Sequence, residues 1–150
     1  MRRLLISTVL VTFALVCCAT AKDESVDELK ARFDKASAED RAQLGMRIAH
    51  HQLHTADTLY NEGKADEARA AVEDIVAYSE KACAAATQSK KHLKEVEIDA
   101  RKMAEKLRDI KRTLAFEDQR PVKEAIDRLE AIRTTLLDDM FAKDEKKGKK

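Results

Sequence analysis

The stretch Ala65–Leu114, ADEARAAVEDIVAYSEKACAAATQSKKHLKEVEIDARKMAEKLRDIKRTL, decides the fold. Ala65, Ala68, Val72, Ile75, Ser79, Ala82, Ala86, Ser89, Leu93, Val96, Ala100, Met103, Leu107, Ile110 and Leu114 recur in steps of three and four, and neither Pro nor Gly interrupts them. A stripe with a mean step of about 3.5 residues holds one helical face against a partner helix along its whole length. Ala84–Ser89 is the weakest point, where the helix either continues thinly packed or breaks into a conventional bundle. Because the register crosses it without a skip, the spacing favours one long helix over 64–116, a rod of roughly 75 Å. A rod cannot bury its own stripe, so the flanking segments or a second copy must cover it.

Upstream, Asn61-Glu62-Gly63-Lys64 is a turn, because Gly after the last periodic residue lets a helix end in a left-handed conformation. Before it, Ala42, Met46, Ala49, Leu53, Ala56 and Tyr60 share one face and predict a helix over 38–62 with Ser37 as its N-cap. Gly45 inside it reads as a weak point, about 1 kcal/mol worse than Ala in an exposed helix. Ser25 and Glu28 form a capping box for a short helix over 25–35, with Val26, Leu29 and Phe33 on one side.

Downstream, Glu117-Asp118-Gln119-Arg120-Pro121 reads as a connection, because Pro suits the first turn of a helix and not its interior. Val122, Ala125, Ile126, Leu129, Ile132, Leu136 and Met140 then predict a helix over 121–141. Residues 143–150 hold five lysines against Asp144 and Glu145 and read as a disordered, solvated tail. The fold class is therefore all-α: two antiparallel, coiled-coil-like helical hairpins sharing one long central helix and meeting near Lys90-Lys91-His92. Each half is only two helices thick, which predicts a homo-oligomer or a protein partner.

Composition agrees with helices. Charged residues make up 38% and aromatics 4%, with three glycines in 150 residues, whereas sheets draw on aromatic and β-branched residues and their turns on Gly. Hydrophobic residues at 44% with regular spacing exclude disorder throughout.

The first 21 residues read as a signal peptide: Arg2 and Arg3, then an apolar run from Leu4 to Val16, then Ala19-Thr20-Ala21 before Lys22. That run is too short to span a bilayer, so no membrane span is expected after cleavage. The expected location is outside the cytoplasm, in the periplasm. A rival reading takes Leu15-Val16-Cys17-Cys18 as a lipobox and Cys18 as the acylated first residue of a lipoprotein. Loss of Arg2 and Arg3 leaves 27 basic residues against 28 acidic, a net charge of −1, with no general attraction to nucleic acid. Residues 90–112 carry nine Lys or Arg against five Asp or Glu, which reads as charge pairing between helices. Cleavage also leaves Cys83 as the single cysteine, either a buried small residue or one half of an intermolecular disulfide.

His50, His54 and Asp57, at helical spacings of four and three, are candidate metal ligands on one face. No Glu stands between the histidines in an HExxH arrangement, and no phosphate loop or nucleophile elbow appears, so no catalytic residue and no cofactor is assigned. The candidate interaction seam is Leu93, Val96, Met103, Leu107, Ile110 and Leu114.

Leu59-Tyr60-Asn61-Glu62-Gly63-Lys64-Ala65-Asp66-Glu67-Ala68 with Val72 resembles the turn of a tetratricopeptide repeat, in which a Gly precedes the small packing residue by five. The resemblance covers half a repeat and implies a helix-turn-helix that packs through small residues. The layout of signal peptide, helix, Gly turn, long charged helix, Phe-Glu-Asp-x-x-Pro connection and final helix is similar to uncharacterised exported helical proteins of bacteria. It implies a location and no activity. The expected function is a non-enzymatic scaffold or interaction protein of the cell envelope acting through helix-helix association. Two other readings are a metal- or ligand-binding helical bundle, and a chaperone-like protein that holds clients on Leu93, Val96, Leu107 and Ile110.

Overall fold

The computed structural model describes residues 24–147, so the expected signal segment, with Cys17 and Cys18, lies outside the described residues. Five helices follow in order: α1 (Val26–Lys35), α2 (Ala38–Asn61), α3 (Ala65–Ser89), α4 (Leu93–Thr113) and α5 (Phe116–Lys147). The chain is all-α, as the sequence predicts.

Local chemistry sets most of the boundaries. Ser25 accepts from the Glu28 amide while the Glu28 carboxylate accepts from the Ser25 amide, closing the capping box of α1. Ser37 caps α2 through the Asp40 amide. Gly63, at φ +75°, turns the chain between α2 and α3, where a left-handed backbone costs Gly almost nothing.

The continuous rod over 64–116 is not formed. Helix α3 stops at Ser89, Lys90 and His92 adopt left-handed backbones at φ 56° and 59°, and α4 starts at Leu93. The Ser89 hydroxyl donates to the Ala85 carbonyl and accepts from the Lys91 amide, which occupies backbone groups freed at the helix end. A left-handed non-Gly residue costs roughly 1–2 kcal/mol. Folding back buries apolar side chains worth roughly 1.5–3 kcal/mol each, so a few of them outweigh two strained residues.

The helix over 121–141 also differs from expectation. Helix α5 begins at Phe116, contains Pro121, and runs to Lys147, so the expected connection before Pro121 is helical and so is the first part of the expected lysine-rich tail. Pro121 sits in the second turn, where its missing amide leaves only the carbonyl four residues back without a helical donor.

The two hairpins, α2–α3 and α4–α5, lie side by side rather than end to end. Across them α2 packs on α4 and α3 on α5, each pair running parallel. Polar contacts between the hairpins keep one interval: Gln43 with His92, His50 with Asp99, Asp57 with Lys106, Arg69 with Asp118 and Lys90 with Asp139 are all 49 residues apart. The buried faces follow nearly the same interval. Val72, Ile75, Val76, Ser79, Ala82 and Ala86 of α3 correspond, fifty residues on, to Val122, Ala125, Ile126, Leu129, Ile132 and Leu136 of α5. The second hairpin therefore repeats the packing scheme of the first.

One core runs through α2, α3, α4 and α5. A second, smaller one forms where Leu29 and Phe33 of α1 meet Leu44 and Ile48 of α2, with Tyr78 set edge-on to Phe33 at 5.5 Å between ring centres. Lys30 and Gln52 both donate to Asp74 at 2.8 Å, tying α1 and α2 to α3.

Candidate functional site

The α2 histidines are placed by the parallel pairing of α2 with α4. His50 Nε2 stands 3.6 Å from Asp99 Oδ1, and Asp57 is paired with Lys106 Nζ at 2.9 Å. Two of the three expected metal ligands are thus engaged with different α4 side chains, two turns apart, and His54 is exposed. Among the described residues no group of three or more His, Cys, Asp or Glu stands together as a metal site. Spacing along α2 could not foresee this, because the carboxylate nearest to His50 comes from another helix.

His92, where the two hairpins are expected to meet, stands at the start of α4. Its ring nitrogens stand 3.3 Å from Gln43 Nε2 and its Nε2 3.7 Å from Glu39, so it holds the start of α4 against α2. With Met46, Glu95, Val96 and Asp99 it lines an open groove between those helices.

The expected interaction seam is taken up inside the chain. Leu93, Val96, Met103, Leu107 and Ile110 are buried in the main core, and Leu114 is half-buried against it. The partner that covers them is α5. Leu93, Val96, Leu107 and Ile110 therefore form no open client-holding face.

Cys83 is 8% exposed, on the α3 side of a cleft whose far wall is Arg128, Ala131, Ile132 and Thr135 of α5. Burial pushes its thiol above the ordinary range, against the pull of the Thr87 hydroxyl beside it. A raised thiol is a poor nucleophile and a poor candidate for exchange. Arg128 closes the cleft by pairing with Glu80 at 2.5 Å.

At the Gly63 end, Arg69 of α3 pairs with Asp118 of α5 at 2.6 Å and with Asp66 at 3.0 Å. Tyr60 lies against this pair. Burial, and then the charge of Asp118, push its phenol above the usual value, with Arg69 opposing them. The Tyr60 hydroxyl and Arg69 Nε are buried without hydrogen-bond partners.

The same end carries a feature that the apolar pattern did not single out. Phe116, the first residue of α5, is 88% exposed at the elbow between α4 and α5. It borders an apolar cleft formed with Lys111, Glu117, Gln119, Arg120 and Lys123. Phe141, at the other end of α5, is 64% exposed. The sequence signal for Phe116 was its place off the stripe, two residues after Leu114.

Compared with known proteins, the chain matches no protein-family model, and no curated protein or solved structure shows significant similarity to it.

Proposed function

We propose that this protein is an exported, non-enzymatic helical scaffold or interaction protein of the bacterial cell envelope, working through contacts of its helices with another chain or copy. Export rests on the charged, apolar and small-residue segments of residues 1–21. The interaction reading rests on one observation: Phe116, 88% exposed, is held at the start of α5, at the elbow of the packed α4–α5 hairpin. A bulky aromatic in water at a rigid position is the kind of residue that interfaces use as an anchor. The internal covering of the Leu93–Leu114 seam moves the site of association from that stripe to the outer surface.

The side-by-side hairpins support a likeness to helical repeat arrays, in which each helix pair contacts its neighbour and leaves an outer surface for partners. The Leu59–Val72 helix-turn-helix forms the elbow of the first hairpin. Among the described residues no helix is long and apolar enough to cross a membrane.

Two measurements test this reading. A reporter that is active only outside the cytoplasm, fused after residue 21, gains activity, and sequencing of the mature chain finds Lys22 first; an acylated Cys18 would instead identify a lipoprotein. A photo-crosslinking residue at exposed surface positions then yields a discrete adduct in cells, and a chain that forms none from any face is not an interaction protein.

A further inference from the structure

We infer that the α4–α5 elbow is a self-complementary docking face at which a second copy of this chain binds, each copy setting its Phe116 into the cleft of the other. The inference rests on the interaction reading above and gives that reading a surface and an occupant.

The argument begins with charge. Between Glu105 and Asp127 nearly every ionic group is satisfied within the chain. Glu105 faces Arg101, Lys106 faces Asp57, Arg108 faces Glu130, and Asp109 faces Arg112. Asp118 faces Arg69, Arg120 faces Glu124, and Lys123 faces Asp127. Lys111 and Glu117 are the exceptions, and neither makes an ion pair among the described residues. These two opposite charges line the same cleft as Phe116.

A partner for this surface needs an apolar group to enter the cleft, an apolar cleft to receive Phe116, an anion for Lys111 and a cation for Glu117. The elbow itself supplies all four. Two copies related by a two-fold axis exchange them, because in such an interface residue i meets residue j and j meets i. Each Phe116 then lies over the alkyl stems of the other copy's Lys111, Arg120 and Lys123, which are apolar along their length. Each Lys111 meets the other copy's Glu117. A strongly anionic surface fits less well, because Glu117 would face it and Arg120 and Lys123 are already neutralised within one turn. The patch covers only the elbow, so the pair belongs with small, transient interfaces rather than obligate dimers.

The test is sedimentation of residues 22–150 over a wide concentration range at low and moderate salt. The expected result is a reversible dimer whose dissociation constant rises at least about tenfold in Phe116→Ser, an anchor loss of hot-spot size. Lys111→Glu and Glu117→Lys each weaken it similarly, and the double swap restores it to within about threefold. All three sites are at the surface, and unchanged circular dichroism confirms folding. A protein that stays monomeric, a dimer indifferent to Phe116→Ser, or a double swap without recovery overturns the inference. A monomer that still crosslinks in cells to a different protein removes the self-pairing alone, whereas the absence of any crosslink removes the interaction reading as well.

Discussion

Gly45 of α2 and Ala82 of α3 touch so closely that a Cβ added to Gly45 would lie 3.0 Å from the Ala82 Cβ, 2.9 Å from the Tyr78 carbonyl oxygen and 3.3 Å from the Phe33 ring. The glycine that looks like a defect in α2 is what lets α1, α2 and α3 meet. Helix propensity favours Ala here by about 1 kcal/mol, but a methyl group pressed on backbone costs roughly 1–3 kcal/mol in a packed core. Gly45→Ala is therefore expected to destabilise the protein by up to about 2 kcal/mol in urea unfolding. A stabilised variant would show that the two helices separate freely.

The left-handed positions make a contrasting pair of substitutions. At Gly63 nothing lies within 4 Å of an added Cβ, so Gly63→Ala carries only backbone strain at φ +75° and should cost about 1 kcal/mol. Lys90, at φ 56°, is the reverse case. Lys90→Gly relieves strain and should stabilise by a few tenths to about 1 kcal/mol, less the loss of its exposed pair with Asp139. Both are read from denaturant midpoints.

Ser79 is fully buried at the α3 position that corresponds to Leu129 in α5, and its hydroxyl has no hydrogen-bond partner. Removing a buried, unsatisfied hydroxyl without changing the rest of the side chain is expected to be neutral or to stabilise by up to about 1 kcal/mol. Leu107→Ala, at a fully buried position in α4, should cost about 2–5 kcal/mol. Calorimetry of the two variants separates them by sign.

Glu130 accepts from Arg108 at 2.5 Å and from Arg133 at 2.6 Å, joining α4 to α5. Burial pushes its carboxyl up, but the two guanidinium groups outweigh this and hold it below the usual carboxylate value. A carboxylate lowered in the folded state stabilises it fully above its unfolded value of about 4.3 and loses that contribution as the pH falls through the folded value. Glu130→Gln should therefore be less stable than the parent at pH 7, with the gap closing below about pH 4. A gap of constant size across that range would mean that the carboxylate's charge is not what matters. The effect is small, since the group is one-third exposed.

Cys83 is expected to react slowly with a thiol reagent in the native state and quickly in denaturant, because it is 8% exposed and burial raises its thiol. The mass of the native protein should then be the same with and without reductant. A covalent dimer that forms on oxidation would instead show that α3 and α5 part readily enough to free the thiol.

The sequence alone was sufficient for the helices, their apolar faces, the Gly63 turn and the Ser25 and Ser37 caps, because each depends on groups within about four residues of one another. It placed the meeting of the two hairpins near Lys90-Lys91-His92, but on an unbroken helix rather than at a turn. Only the tertiary structure decided that α3 and α4 are separate: the three-four stripe passes through Ser89 unchanged whether the chain continues or folds back. The choice depends on whether the second hairpin can bury apolar surface on the first, an interaction between residues some fifty positions apart. For the same reason the partners of His50, Asp57 and Arg69 could not be read from α2 or α3, and the Leu93–Leu114 seam proved to be interior. Phe116 emerged as exposed once the rest of the apolar pattern had found its cover.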